Sequence, residues 1–418
     1  MNGGESQKSI AGADWFKARR LHRVLELLNA EGGEARIVGG AVRNTLMGLD
    51  VGDVDIATTL HPKDVIQRAG KARIKAVPTG IDHGTVTLVV ESVPYEVTTL
   101  RADIESHGRH ATVAYGADWS EDAHRRDLTI NGLYADKDGN VIDLVGGLAD
   151  IESRTVRFIG EAGTRIKEDY LRILRFFRFF AWYGGGRPDA EGLKACARLK
   201  SGLAGLSAER VWSELKRLLA APDPSRALLW MRQSGVLSEI LPESEKWGID
   251  AVFGVVQTGA ALNWPADPLL RLMAIVPHDA ERLDAMASRL RMSNSERKRL
   301  VQWAGQPAVA EDVADTALKR MLYLGDKQAI TDTLNLQLCA RRKAAESDDE
   351  ALRGAAALSR LLNVARDWSS PVFPVSGGDL LKAGLASGPE VGAAMTALEE
   401  AWIASNFTLT RKELLERL

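Results

Sequence analysis

Three acidic residues among the first hundred could hold divalent cations. Asp53 and Asp55 are separated by one residue, and in a strand spanning Gly52 to Ile56 that spacing places both carboxylates on one face. Adjacent carboxylates repel each other, and Mg²⁺, which prefers oxygen ligands, is the usual reason for tolerating them. Two such ions can stabilise the attacking and leaving oxygens of an in-line phosphoryl displacement. Glu96, in the β-rich run Pro94 to Thr99, is the best candidate for a third carboxylate.

A glycine pair just upstream offers a place for phosphate. Arg36 to Val38 is predicted as a short strand, Gly39-Gly40 as a tight turn, and Ala41 to Met47 as one helix ending at Gly48. A helix that starts at a glycine pair exposes backbone N–H groups to an anion. A lone Asp-x-Asp is more often a solvated turn, and the glycines favour a nucleotide site instead.

Arginine, carboxylate and amide groups come together again between Arg125 and Asn131. Two guanidiniums beside Asp127 can hold phosphate, and the carboxylate and amide can bond a ribose 2′-hydroxyl. The alternative is that Asp127 only neutralises Arg125 or Arg126 on a surface helix.

The spacing of apolar residues predicts one helix over Glu168 to Phe180, with a polar stripe of Glu168, Asp169, Arg172 and Arg175. Cytosine and adenine present an amino donor next to a ring-nitrogen acceptor on their Watson–Crick edges. A carboxylate beside an arginine therefore suits C and A, and leaves unpaired groups against U and G. The alternative is a helical ion pair between Glu168 or Asp169 and Arg172, worth about 0.2–0.5 kcal/mol.

These groups need a sheet and helices to position them. Strands are predicted at 74–77, 86–90 and 95–98, which complete a small mixed sheet around the carboxylates, and helices follow from Pro188 onwards. The fold class is therefore α+β, with a small α/β head built on a mixed sheet and followed by an all-α remainder. We predict four parts: head 1–155, neck with the base-recognition helix 156–222, body 223–325 and tail 326–418.

Composition sets limits on the partners. Among 418 residues, 54 Lys and Arg balance 56 Asp and Glu, so a nucleic-acid surface has to be a local patch. Basic clusters recur at Lys216-Arg217, Arg289 to Arg299 and Arg341 to Lys343, spaced for an extended RNA partner, although each could be a solvated helix face.

The same sequence predicts a protein without membrane segments. It has no long apolar run, and its first residues lack the basic and apolar regions of a signal peptide, so we expect a cytoplasmic location. Cys196 and Cys339 lie too far apart to suggest a disulfide framework or a zinc site, and we expect buried thiols.

Several of these stretches together resemble a known family. The pair of Gly39-Gly40 and Asp53-x-Asp55 is similar to the signature of the polymerase beta nucleotidyltransferases. A longer match resembles class II tRNA nucleotidyltransferases, the CCA-adding enzymes, and the related bacterial poly(A) polymerases. Its motifs are GGAVRNTLMG from Gly39, GDVDIATT from Gly52, HGTVT from His83, RRDLTINGL from Arg125 and EDYLRILRFFRF from Glu168.

The resemblance implies an activity: transfer of CMP and AMP from CTP and ATP to the 3′ end of tRNA, with release of pyrophosphate. It also implies a role for each candidate residue. Asp53 and Asp55 would hold two Mg²⁺ ions and Glu96 would support activation of the 3′-hydroxyl. The remaining candidates would bind the nucleotide: Gly39, Gly40 and Arg43 at the triphosphate, Arg126, Asp127 and Asn131 at the sugar and triphosphate, and Asp169, Arg172 and Arg175 at the base. Asn44 departs from the family, which usually has aspartate there.

The segment from Arg101 to Asp118 is polar and without a strong period, and it is predicted to be a loop. By the resemblance, it would be the mobile loop that helps the enzyme switch to the final adenosine. Other functions stay open: a poly(A) polymerase, a specialist that adds only CC or only A, or a non-catalytic RNA-binding protein. The last is disfavoured because Asp53, Asp55 and Glu96 are all present.

Overall fold

The structure, a computed structural model, describes residues 7–81, 84–107, 110–116, 118–244, 248–345 and 348–418. His83, which begins one of the recognised motifs, lies outside these residues. Contacts within the chain divide it into two compact units, Met1–Pro242 and Glu243–Leu418. All the candidate site residues lie in the first unit.

Strands occupy the first part of the first unit, interleaved with short helices. The strands are β1 (Ala35–Val38), β2 (Asp55–Thr58), β3 (Lys75–Gly80), β4 (Thr85–Val90), β5 (Val93–Thr99), β6 (Arg101–His107), β7 (His110–Tyr115), β8 (Leu133–Ala135) and β9 (Val141–Asp143). The helices among them are α1 (Arg19–Asn29), α2 (Gly40–Leu46), α3 (Pro62–Lys71), α4 (Trp119–His124) and α5 (Gly147–Glu152), with a 3-10 turn at Thr129–Asn131.

Within the described residues, seven of these strands form one mixed sheet in the order β3-β4-β5-β2-β1-β8-β9. Its pairs are antiparallel except β2 and β5, which run parallel. The parallel pair lies near the centre of the sheet, and in β2 only Asp55 is exposed, while Ile56, Ala57 and Thr58 are buried. The predicted α+β class with a small mixed sheet is confirmed.

Gly39 explains why β2 is shorter than predicted. The last residues that pair between β1 and β2 are Val38 and Asp55, because the chain turns away at Gly39 with φ of 71°. This left-handed conformation favours glycine, since a Cβ there meets steric strain. Asp53 therefore precedes the strand, and the predicted strand over Gly52 to Ile56 is replaced by Asp55–Thr58.

The predicted loop from Arg101 to Asp118 is wrong in its secondary structure. β6 and β7 form a separate antiparallel two-stranded ribbon, with a shift in register between Asp103 and Glu105. Asp118 then caps α4, accepting a hydrogen bond from the Glu121 backbone N–H at 2.7 Å.

The rest of the first unit is helical. Its helices are α6 (Ala162–Glu168), α7 (Leu171–Tyr183), α8 (Ala190–Leu199), α9 (Ala208–Leu219), α10 (Ser225–Gln233) and α11 (Val236–Ile240), with a 3-10 turn at Lys200–Gly205. One face of α7 is apolar and buried, and Phe176 and Phe177 are fully enclosed. This face anchors the helix and leaves its arginines for the opposite side.

The single helix predicted over Glu168 to Phe180 is broken near its start. Helix α6 ends at Glu168, Asp169 is extended with φ of −155° and ψ of 108°, and α7 begins at Leu171. The Asp169 carboxylate accepts a hydrogen bond from the Leu171 backbone N–H at 3.1 Å. Asp169 thus satisfies a backbone donor at the start of the new helix, as a capping carboxylate does.

The regular elements in the described part of the second unit are all helices. Its helices are α12 (Asp250–Ala261), α13 (Pro268–Met273), α14 (Ala280–Arg289), α15 (Asn294–Gly305), α16 (Asp315–Leu324), α17 (Lys327–Ala344), α18 (Asp349–Asp367), α19 (Gly377–Lys382), α20 (Pro389–Ala404) and α21 (Arg411–Leu415). One of its cores joins Leu318 and Leu322 to Leu334, Leu338 and Leu358. This core includes residues on both sides of position 325, where the body was predicted to end and the tail to begin. The division into four parts stays a prediction.

Two smaller expectations concern membranes and thiols. No helix in the described part of the chain is both long and apolar enough to cross a bilayer. Cys196 and Cys339 are both free and buried, as predicted, and burial raises the pKa of the Cys339 thiol to about 11.

Candidate active site

A cavity of about 580 Å³ in the first unit collects nearly every predicted site residue. It lies where the central strands of the sheet meet α7 and α9. All the predicted residues except Asp53 line it: Gly39, Gly40, Arg43, Asp55, Glu96, Arg126, Asp127, Asn131, Asp169, Arg172 and Arg175. Arg125, the other guanidinium beside Asp127, also lines the cavity, as do Phe179 and Arg210, which the sequence analysis did not name.

Two carboxylates reach this cavity from neighbouring strands. Parallel pairing of β2 with β5 sets Asp55 directly beside Glu96, although 40 residues separate them in the chain. Burial raises the pKa of Asp55, and the negative charges of Glu96 and Asp53 raise it further. Like charges so close to one another are unfavourable, and a bound cation relieves that repulsion.

The carboxylates do not by themselves enclose a metal position. Among the described residues, no group of three or more His, Cys, Asp and Glu side chains has an arrangement that would hold a metal ion. Asp53 is exposed and lies just ahead of β2. The oxygen donors and their mutual repulsion suit a divalent cation, and the assignment of Asp53 and Asp55 as ligands stays a prediction.

One buried carboxylate that the sequence analysis missed organises the Arg125-Arg126 pair. Asp122, whose side chain is 1% exposed, accepts from Arg125 Nη2 at 2.5 Å and from Arg126 Nη2 at 2.9 Å. It also accepts from the Tyr134 hydroxyl at 2.7 Å. Burial acts to raise the pKa of Asp122, but the two guanidiniums outweigh it and hold that pKa below its usual range. The sequence did contain a signal for this contact: Asp122 stands three residues before Arg125 and four before Arg126, the spacings at which helical side chains meet.

Asp127 ties the head to α7. Its carboxylate accepts from Arg175 Nε at 2.7 Å, from the Asn131 side-chain amide at 3.2 Å and from the Leu128 backbone N–H at 2.9 Å. Burial opposes ionisation, yet Arg175 and the amide keep the pKa of Asp127 below its usual range. The alternative that Asp127 neutralises Arg125 or Arg126 is wrong, because its charge partner is Arg175.

At the start of α7 the structure contains the ion pair between Glu168 and Arg172 that the sequence analysis gave as its alternative, and a pair between Asp169 and Arg210 that it did not predict. Asp169 accepts from Arg210 Nη2 of α9 at 2.6 Å, whereas Arg172 forms its ion pair with Glu168 and donates to the Arg165 carbonyl at 2.9 Å. Asp169 and Arg172 both line the cavity. Each is therefore held in place by a separate partner, so both can face a ligand without bonding to each other.

Behind these residues, α7 and α9 are joined by a second ion pair. Arg178 Nε donates to Glu214 at 2.6 Å, and the Glu214 side chain is 5% exposed. Burial lowers the pKa of Arg178. The pair fixes α9, and with it Arg210, against the helix that carries Arg172.

Some arginines of the basic clusters predicted as RNA contacts are paired with carboxylates. In the second unit, Arg297 contacts Asp284 at 2.6 Å, Arg299 contacts Asp332 at 2.8 Å, and Arg341 contacts Glu311 at 2.5 Å. Such pairs reduce the charge available to a phosphate backbone. An RNA-binding role for the tail stays a prediction.

Comparison with known proteins agrees with this geometry. Residues 35–157 match the family described as "Poly A polymerase head domain", and residues 187–247 match "Probable RNA and SrmB- binding site of polymerase A". The chain is 36% identical over 404 residues to CCA tRNA nucleotidyltransferase 1, mitochondrial, from Mus musculus, an alignment that covers 94% of this chain and 88% of that protein. The chain belongs to the CCA tRNA nucleotidyltransferase family.

Bacterial members of the CCA tRNA nucleotidyltransferase family show the same relationship. The CCA-adding enzyme of Geobacillus thermodenitrificans is 38% identical over 247 residues, 58% of each chain. The crystal structure of the Bacillus stearothermophilus CCA-adding enzyme in complex with CTP has a TM-score of 0.65 and 28% identity, covering 95% of this chain and 96% of that one. CCA tRNA nucleotidyltransferases generally depend on divalent metal ions.

Proposed function

We propose that this enzyme adds CCA to the 3′ end of tRNA, using CTP and ATP and releasing pyrophosphate. The observation that carries the proposal is a single cavity that joins the Asp55 and Glu96 pair to Asp169 and Arg172. One end has groups suited to phosphoryl transfer and the other has groups suited to recognising a base. The relatives' names support tRNA and CCA addition, and the CTP complex of the bacterial relative supports a nucleotide in this kind of fold.

The reaction joins the tRNA 3′-oxygen to the α-phosphorus of the nucleotide and breaks the bond to pyrophosphate. Asp53 and Asp55 would hold Mg²⁺, which when bound supplies Lewis-acid stabilisation of the phosphoryl oxygens. Glu96 supports activation of the attacking 3′-hydroxyl from the neighbouring strand. Gly39, Gly40 and Arg43 hold the triphosphate, so that in-line geometry is set before reaction.

Sugar and phosphate contacts come from the groups that Asp122 and Arg175 fix. Arg126 is held by Asp122, and Asp127 and Asn131 form one hydrogen-bonded set with Arg175. Because these side chains already have fixed positions, they lose little freedom when a nucleotide binds. They are therefore suited to orient the ribose and triphosphate.

Base choice is assigned to Asp169 and Arg172. Asp169 accepts from the exocyclic amino group of C or A, and Arg172 donates to the adjacent ring nitrogen. Uracil and guanine present the reverse pattern, so they leave buried groups unpaired. Arg175 supports this end of the cavity through its ion pair with Asp127.

A substrate panel tests the proposal. Purified protein with Mg²⁺ is given tRNAs ending before CCA, after C and after CC, with each nucleotide alone and with CTP and ATP together. We expect C on the first two ends, A only on the third, and no U or G. Extended adenosine tails would indicate a poly(A) polymerase, and addition restricted to C or to A would indicate a specialist. Binding of tRNA without any addition would indicate a non-catalytic protein.

A further inference from the structure

Arg43 differs from the other arginines of the cavity in its charge environment. Each of the others has a carboxylate partner: Arg125 and Arg126 with Asp122, Arg172 with Glu168, Arg175 with Asp127, and Arg210 with Asp169. Arg43 has no ion pair with any described residue, and it is 6% exposed. Its positive charge is therefore buried without a carboxylate in direct contact, and the more distant charge of Asp127 attracts it.

Neutral acceptors hold Arg43 in place. Its Nε and Nη2 donate to the Asn44 side-chain oxygen at 3.1 Å and 2.8 Å, and Nη1 donates to the Asn131 side-chain oxygen. Nη2 also donates to the Tyr183 hydroxyl at 2.8 Å. Burial lowers the pKa of Arg43, but a guanidinium stays protonated in proteins. Its full charge is thus available to an anion that enters the cavity.

Tyr183 makes a second contact with the same guanidinium. The Arg43 Cζ atom lies 4.0 Å from the centre of the Tyr183 ring and 5.2 Å from that of Phe179, one turn earlier on α7. The face of an aromatic ring attracts a cation without cancelling its charge, unlike a carboxylate. Tyr183 therefore both orients Arg43 and stabilises its charged form.

We infer that Tyr183 is a positioning residue for triphosphate binding: from the last position of α7 it holds the Arg43 guanidinium, which has no direct carboxylate partner, in the cavity. The inference rests on the proposed function, in which Arg43 binds the triphosphate. Tyr183 lies between the two stretches that match family descriptions, residues 35–157 and 187–247. It connects the phosphate end of the cavity to the helix that carries Arg172 and Arg175.

Two substitutions separate the two contacts. Tyr183→Phe removes the hydroxyl but keeps the ring, and Tyr183→Leu removes both. Loss of a hydrogen bond to a charged group is expected to raise KM for both CTP and ATP by about 10-fold in Tyr183→Phe. Loss of the ring contact adds about another 3-fold in Tyr183→Leu. We expect little change in kcat or in the KM for tRNA, because neither the reacting atoms nor the RNA contacts are altered.

A matched control removes a phenolic hydroxyl elsewhere. Tyr323, in the second unit, hydrogen-bonds Glu399 at 2.5 Å, and Tyr323→Phe should leave the KM for nucleotides unchanged. Thermal unfolding of every variant checks the fold. Unchanged nucleotide KM in Tyr183→Phe and Tyr183→Leu would overturn the inference. The inference would also be overturned if kcat fell and the KM values for nucleotides and tRNA rose only in proportion to the lost stability. If Tyr183→Leu does not fold, Tyr183→Phe alone decides.

Direct binding distinguishes this inference from the proposed function. Calorimetric titration with CTP and with inorganic tripolyphosphate, without tRNA, should show weaker binding of both to the Tyr183 variants than to the wild type. That result supports the inference even if the wild type adds no CCA to tRNA. If the wild type binds neither anion, the inference fails. If the wild type and the variants bind both equally well, it also fails, whatever the tRNA assay shows.

Discussion

Arg210 of α9 holds the carboxylate of Asp169 at 2.6 Å, just before the first residue of α7. This pair fixes the carboxylate that we propose as the acceptor for the base, while Arg172 takes Glu168 as its own partner. The acceptor and the donor are thus positioned independently. If they select the base, each should affect selectivity in its own way.

Asp169→Ala is expected to change the choice of nucleotide more than the overall rate. The lost acceptor favoured the amino group of C and A and opposed the carbonyl of U, so the preference for CTP over UTP should fall by about 10- to 100-fold. The measurement is kcat/KM for CTP, ATP and UTP on tRNA lacking its end. Wild-type preference in this variant would place base selection elsewhere.

Arg210→Ala should reproduce part of the Asp169 effect, because it removes the partner that holds that carboxylate. In a double-mutant cycle for base preference, the two substitutions should be non-additive by about 1 kcal/mol or more. Lys194→Ala, which removes an exposed cation paired with Glu191, serves as a control that should be neutral. Full additivity of Asp169→Ala and Arg210→Ala would contradict a positioning role for Arg210.

Asp122→Asn should destabilise the first unit. It keeps the size of the side chain but removes a buried charge shared by Arg125 and Arg126, and breaking such pairs costs about 3–5 kcal/mol. The free energy of unfolding in urea measures the loss at pH 7. We also expect a raised KM for nucleotides, since both arginines line the cavity. If the free energy of unfolding of the variant lay within about 1 kcal/mol of the wild type, as is typical of substitutions at the surface, this assignment would be contradicted.

The same substitution has a pH signature. The guanidiniums hold the pKa of folded Asp122 below its unfolded value of about 3.9, despite burial. Its contribution to stability is therefore complete above that unfolded value and is lost as the pH falls through the folded pKa. The difference in unfolding free energy between wild type and Asp122→Asn should be constant from pH 7 to 5 and shrink below about pH 4. A difference that grows on acidification would contradict the direction of the shift.

Much of this site could be predicted from the sequence, because the residues that carry charge lie in short motifs. Asp55, Glu96, Arg126 and Asp127 were identified from such stretches, and the structure brings them to one cavity. Their partners were not predicted. Tyr183 contacts Arg43 from 140 residues away, and no local pattern encodes a contact at that distance.

Two errors in secondary structure have physical causes. The polar residues around Asp169 recur every three to four positions, as they would in one continuous helix. The break between α6 and α7 therefore could not be predicted from the spacing. The ribbon of β6 and β7 does not belong to the main sheet, and a two-stranded ribbon needs less apolar alternation than a strand that covers a core.

Deletion within that ribbon tests its role in the last addition. Removing Ser106 to Val113 shortens both strands while leaving β5 and α4 in place. If the ribbon helps to reshape the cavity, addition of the two cytidines should be retained and addition of adenosine should fall, by at least about 10-fold. Equal loss of both would indicate a general role in folding or RNA binding, and full activity would make the ribbon dispensable.

Asp55→Ala should remove catalysis without removing tRNA binding. Loss of a carboxylate that is proposed to hold the metal ion at the reacting phosphate should lower kcat by more than about 100-fold. The RNA contacts elsewhere should be unchanged. Chelation of Mg²⁺ with EDTA should have the same effect on the wild type and should be reversed by added Mg²⁺. Near-normal turnover in either experiment would contradict the metal assignment, and filter binding of labelled tRNA is the control.

We propose that the enzyme adds C, C and then A in one cavity and then stops. The most direct measurement is to incubate wild-type enzyme with tRNA lacking CCA and all four nucleoside triphosphates, and to sequence the resulting 3′ ends. We predict uniform ends of CCA, with U and G absent and no further extension, and no products from Asp55→Ala. Homopolymeric adenosine tails, ends that stop at CC, or frequent incorporation of U or G would contradict it.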